Sequence, residues 1–131
     1  MTIAANRLAE INLVAVPTHN QDAMVDFYVS KLGFEKRTDN AFGNGYRWIE
    51  VYPRGGSAGI ALAPPPPDRS EAGGRETGII LNTDDIDAAH AELREEGVDV
   101  DAEISRMGDP VPPMFWLRDF DGNTLLVVQR S

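Results

Sequence analysis

The chain has 131 residues and no Cys, and its 12 Lys+Arg against 21 Asp+Glu leave a formal net charge of −9. That length suits one domain and is enough to bury a core without disulfides or a structural metal. Absent Cys excludes disulfides, thiolate nucleophiles, iron–sulfur clusters and Cys-based zinc sites, and a pI near 4.5 opposes nucleic-acid backbones and anionic membranes as partners.

No run approaches the ~18 apolar residues of a membrane span. Residues 1–10 lack the charged-then-apolar order of a secretory signal, so a cytoplasmic protein is expected. Ile11, Leu13, Val14, Ala15 and Val16, ended by Pro17, predict a buried strand. Polar residues 18–22 offer capping groups. Ala23, Met24, Phe27, Tyr28 and Leu32 recur at helical spacing, predicting a helix over 22–31 that Gly33 stops. Strands are predicted over 34–38, 46–52 and 59–63, with turns at 40–45 and at Gly55 and Gly56. The four prolines 64–67 donate no amide hydrogen, and 68–74 is rich in Ser, Gly and charge, so this stretch reads as a linker. The pattern then restarts: a strand over 78–81, a helix over 86–96 capped by Thr83, Asp84 and Asp85 and stopped by Gly97, an alternating stretch over 98–104, and strands over 114–117 and 125–129 around a turn at 121–123.

The order is β-α-β-β-β twice. Val14, Val16, Thr18, Asn20, Asp22 and Ala23 fall on Ile79, Leu81, Thr83, Asp85, Asp87 and Ala88 at one constant offset. Ile49, Val51 and Gly56 fall on Phe115, Leu117 and Gly122 at an offset one residue larger. Such self-similarity marks a duplicated supersecondary unit. We read 1–131 as a single domain: module one over 8–64, the linker over 64–76, and module two over 77–131.

Four local motifs accompany the repeat. Asn20 to Tyr28 contains an acidic turn followed by Ala23, Phe27 and Tyr28; Leu32, Gly33 and Phe34 follow; Asp84 to Asp87 caps the second helix; and Asp119, Phe120, Asp121, Gly122 and Asn123 form the late turn. In this order they resemble the vicinal-oxygen-chelate superfamily of glyoxalase I, extradiol dioxygenases and bleomycin-resistance proteins, with Phe120 where that group usually has proline. The resemblance implies an α+β fold of tandem βαβββ modules, whose mixed sheets curl into a cup with helices on the outer face. It also implies a homodimer, since members of the group commonly pair modules across subunits.

Metal enzymes of the group carry ligands on the first and fourth strand of each module. Counting from the turn residues puts those positions at Leu13, Gly78 and Leu126, with Ile60 as the repeat partner of Leu126. None of the four side chains offers a lone pair, so neither a metal centre nor a cofactor is expected. Alternation along 46–52 puts Ile49 and Val51 on the helix-packed face, and Tyr46, Trp48, Glu50 and Tyr52 on the other. The same logic puts Met114 and Trp116 in the cup. The expected lining is therefore Leu13, Trp48, Glu50, Ile60, Met114, Trp116 and Leu126, an apolar and aromatic set with one acid. Glu50 is the candidate general base; pairing with Arg47 or Arg118, or plain solvation, are its other readings. His19 and His90 are expected in structural roles, and no G-x-S-x-G or phosphate-loop pattern is present.

The expected function is binding of a small organic molecule, a drug or metabolite, in a Trp-lined cup without a metal. A lyase, isomerase or dioxygenase-like enzyme using Glu50 or an unorthodox metal site is the alternative. A structural module with a filled cup is the third.

Overall fold

The computed structural model describes residues 7–43, 45–68 and 71–130. The first half runs β1 (Leu13–Ala15), α1 (Gln21–Asp26), β2 (Glu35–Phe42), β3 (Tyr46–Tyr52) and β4 (Gly59–Leu62). The second runs β5 (Glu76–Thr83), α2 (Ile86–Glu95), β6 (Asp99–Val100), β7 (Met114–Arg118) and β8 (Thr124–Gln129). Each half makes one four-stranded mixed sheet, in the orders β1-β4-β3-β2 and β5-β8-β7-β6. In both, the first strand lies parallel to the fourth and the others pair antiparallel. The fold is α+β. Among the described residues no helix is long and apolar enough to cross a membrane.

Both helices start as their sequences predict. The Asn20 side chain accepts the Ala23 amide at 3.1 Å, and Asp85 accepts the Ala88 amide at 3.0 Å. Each carboxamide or carboxylate satisfies an amide that the first helical turn leaves open. Beyond Asp26 the first helix widens into a π-helical segment, Phe27–Lys31, and the Leu32 amide reaches back to the Phe27 carbonyl. Gly33, at φ +77°, then turns the chain so that the Phe34 amide bonds the Tyr28 carbonyl at 3.0 Å.

The alternating stretch over 98–104 gives only a two-residue strand, because Asp101 keeps its amide on the Trp116 carbonyl at 3.0 Å but turns its own carbonyl to His90. Its carboxylate accepts the Trp116 amide at 3.0 Å and the Arg118 guanidinium at 2.9 Å. A side chain thus fills the place of a ladder carbonyl. Conversely, β2 runs on to Phe42, through residues expected to form a loop, because β3 pairs with it as far as Tyr46.

One hydrophobic cluster joins the two halves. It contains Met24, Tyr28, Ile49, Val51, Ile60 and Leu62 from the first, and Ile86, Phe115, Leu117, Leu125 and Val127 from the second. His90 is buried on α2, with Nε2 2.7 Å from the Asp101 carbonyl and its ring edge-on to Phe115.

The tie between halves is polar. The buried Asp119 carboxylate accepts the Tyr28 hydroxyl at 2.8 Å, the Asn123 side-chain amide, and the backbone amides of Asp121 and Asn123. Thr18 donates to Asp121 at 2.6 Å beside it. Burial, then the adjacent Asp119 charge and hydrogen bond, push the Tyr28 phenol far above the usual range. The hydroxyl therefore stays protonated in the folded protein while unfolded chains ionise above pH ~10. The stabilisation is complete below that pH and declines as pH rises beyond it, by ~1.4 kcal/mol per unit. Tyr28→Phe should cost ~1.5–3 kcal/mol at neutral pH by removing a donor to a buried charge. Urea unfolding from about pH 8 to 11 should show the gap between wild type and variant narrowing above pH ~10.

Candidate functional site

Register settles which side chains share a face. In the first sheet Val14, Ile60 and Val51 lie opposite one another across β1, β4 and β3, and Val51 and Ile60 are buried in the core. The alternate positions, Leu13, Ala61, Trp48, Glu50 and Tyr52, therefore share the opposite face, on which Trp48 is exposed, Leu13 and Glu50 are half-buried, and Ala61 and Tyr52 are buried. Thr38 and Ala61 flank Glu50 across β2 and β4. In the second sheet Ile80, Leu126 and Trp116 form one row, with Met114 beside Val128 in the next. Trp116, Leu126 and Met114 are half-buried, and Ile80 is 61% exposed.

At the centre of the first face Glu50 is held between two rings. The Trp48 Nε1–H donates to one carboxylate oxygen and the Tyr52 hydroxyl to the other, each at 2.8 Å. The Trp48 indole is thus anchored by its N–H edge, and the residue is 39% exposed. The hydrogen bond to Glu50 raises the Tyr52 phenol above its ordinary range. Arg37 stacks over the Tyr52 ring at 4.2 Å and spends its donors on Glu35 and the carbonyls of Gly56 and Pro53. As a general base Glu50 would take a substrate proton while its charge is shared with these two donors. As a fixed hydrogen-bond acceptor it is already in place.

Several expectations change. Ile60 is 3% exposed and faces the core; Ala61 takes its place beside Glu50. The reason is a hairpin length. Ile49 pairs with Leu62 while Phe115 pairs with Val127, so the first hairpin holds one residue more. A one-residue slip sends the whole strand's side chains to the other face. Neither arginine pairs with Glu50. Arg47 lies on the helix side, binding Asp22 at the start of α1 and Asp39 on β2 at 2.7 Å. Arg118 binds Asp101 at 2.9 Å and approaches Asp99. His19 is exposed. Ile80, which the expected lining omitted, was readable from Ile79 and Leu81, whose inward alternation leaves it outward.

Trp48 and Glu50 are thus brought together, as are Trp116 and Leu126, with Met114 alongside. Among the described residues no hydrogen bond or ring contact links the Trp48 group to the Trp116 group. The family-type metal positions are occupied by Leu13, Gly78, Ala61 and Leu126, which do not fit a metal ion. Among the described residues no three His, Cys, Asp or Glu cluster to hold one.

A separate cleft of about 1210 Å³ opens on the helix side, between the halves, lined by Val14, Ile60, Leu81, Leu93, Leu117 and Val127 among others. Its position follows from the repeat. Tyr28 bonds the Asp119 turn, whereas the corresponding Leu93 has no polar group to bond the Pro53–Gly56 turn, and both line the cleft.

Residues 10–127 match the family model for the Glyoxalase/Bleomycin resistance protein/Dioxygenase superfamily. The chain belongs to that superfamily. Among solved superfamily-like structures, TnmS3, an antibiotic binding protein from Streptomyces sp. CB03234, is 33% identical, with TM-score 0.81 over 95% of this chain and 98% of that one. A superfamily member from Sphaerobacter thermophilus DSM 20745 is 34% identical, with TM-score 0.85 over 94% and 98%. YetH of Bacillus subtilis (strain 168) is 26% identical over 123 residues, 92% of this chain and 98% of its own. Membership fixes the fold and leaves the chemistry to the side chains.

The Trp48–Glu50–Tyr52 arrangement has a direct signature. Replacing Glu50→Gln removes the charge that holds the Tyr52 proton. In ¹³C-tyrosine NMR the Tyr52 titration should move to lower pH, while the Tyr28 signal stays protonated through the accessible range.

Proposed function

We propose that this superfamily member binds and sequesters a small organic molecule, a drug or metabolite, against the open aromatic face of its sheets, using neither metal nor cofactor. The observation that carries the reading is the half-exposed Trp48 indole, edge-anchored by Glu50 and opposite Asn40, on the sheet face it shares with Tyr52, Ala61 and Leu13. A fixed aromatic plane with one placed polar group is the usual make-up of a small-molecule site. The Trp116–Leu126–Ile80 row supplies a second apolar wall. The likeness to an antibiotic binding protein supports the same class of ligand.

The complete site is proposed to form in a cytoplasmic homodimer. Phe42, Tyr46, Trp48 and Ile80 are exposed on the open faces, and β1 and β5 each have one unpaired edge. A second copy would cover such surface and bring a first-half wall to a second-half wall. The large cleft favours a second reading, a ligand held between the halves on the helix side.

Titration with planar aromatic compounds should quench tryptophan fluorescence, and sedimentation should give twice the 14.3 kDa chain mass. Trp48→Ala and Trp116→Ala should each weaken binding about ten-fold or more, as expected for losing ~1.4 kcal/mol or more of ring contact. Ala89→Trp, which narrows the cleft, should leave affinity unchanged; lost binding in that variant alone would favour the second reading.

A further inference from the structure

We infer that Glu50 makes this site selective for planar aromatic cations over neutral or anionic rings of the same shape. The inference rests on the binding site proposed above and concerns which ligands that site takes.

Three observations converge. First, Glu50 is a half-buried carboxylate next to exposed Trp48, with uncharged Thr38 and Ala61 as its cross-strand neighbours. Its two donors are the indole and phenol of Trp48 and Tyr52, and both are neutral. Each oxygen thus keeps further acceptor capacity, since an ionised carboxylate offers about four lone-pair sites.

Second, neither nearby arginine neutralises Glu50 directly. Arg47 is on the opposite face with Asp22 and Asp39, and Arg37, over the Tyr52 ring at 4.2 Å, is tied to Glu35 and two carbonyls. Among the described residues Glu50 makes no ion pair.

Third, the flanking indole is pinned to Glu50 by its N–H edge while the residue stays 39% exposed, so the ligand is proposed to lie on its π-face. A cationic ring laid on that face meets the negative side of the ring quadrupole, and a peripheral N–H of the same ring can reach the carboxylate. A neutral ring gains stacking alone. An anionic ring meets like charge, from Glu50 and from a chain of net charge −9.

The pseudo-equivalent positions on the second sheet sharpen the point. There Met114 and Trp116 stand where the first sheet has Trp48 and Glu50. The acid is a property of one wall, so it orients a ligand as well as selecting it.

The test compares near-isosteric probes: 9-aminoacridinium, a planar cation; acridone, its neutral analogue; and acridine-9-carboxylate, an anion. Wild type should bind the cation at least about ten-fold more tightly than acridone, with the anion weakest. Glu50→Gln should bring the cation to within about two-fold of acridone and leave acridone unchanged. Glu71→Gln removes the same charge from an exposed position outside the site, and should keep the full preference. Acridone binding as tightly as the cation, or a preference that Glu71→Gln erodes as much as Glu50→Gln does, overturns this inference while leaving the binding site standing. No quenching by any of the three overturns both. If Glu50→Gln fails to fold, wild type alone decides. At ~1 M salt the Debye length is ~3 Å. A direct cation–carboxylate contact keeps its preference there, and a preference that vanishes was general attraction to an acidic protein.

Discussion

Asp119 is a carboxylate almost sealed from water, and a charge so placed is tolerable only while its acceptor sites are filled. Four donors fill them. Three come from its own turn, through Asp121 and Asn123, and the fourth is the Tyr28 hydroxyl from the other half of the chain. The local donors shape the tight link between β7 and β8. The remote one requires the first helix to pack against that link. Register in the second hairpin, and with it the row of Trp116, Leu126 and Ile80, is therefore coupled to the docking of an element far away in sequence. The π-helical widening after Asp26 belongs to the same constraint, because it begins at the residues that carry Tyr28 to the turn.

On the first sheet the equivalent anchoring is done on the opposite side. Arg47 bridges the start of α1 and β2 through Asp22 and Asp39. Gln21 adds hydrogen bonds to the carbonyls of Arg47 and Leu62. With the helix side fixed in this way, the alternate residues of β3 are left to the open face. Trp48, Glu50 and Tyr52 then bond along one strand at two-residue spacing, the spacing at which strand side chains line up.

Much of this was legible in the sequence. The repeat gave the element order, because apolar spacing, caps and stop glycines recur in both halves. Alternation in β3 and β7 correctly divided Ile49 and Val51 from Trp48 and Glu50. What could not be read was anything set by a count across a turn or by a side chain replacing backbone. Ile60 was misplaced by one extra hairpin residue, which identity too weak to show the gap could not reveal. The strand expected over 98–104 failed because Asp101 bonds the ladder with its carboxylate, a tertiary choice no local pattern encodes. The partners of Arg47 and Arg118 depended on which face each arginine took.

That extra residue has an evolutionary reading. Substitution changes a wall one side chain at a time; lengthening a hairpin by one residue exchanges the whole row at once, because inward and outward trade places. In the first half it turns Ile60 to the helix side and puts the small, buried Ala61 beside Glu50, while the larger Leu126 takes the corresponding place in the second half. A duplicated unit can in this way acquire two dissimilar surfaces, one recessed and acidic and one filled and apolar, through drift in the length of a turn.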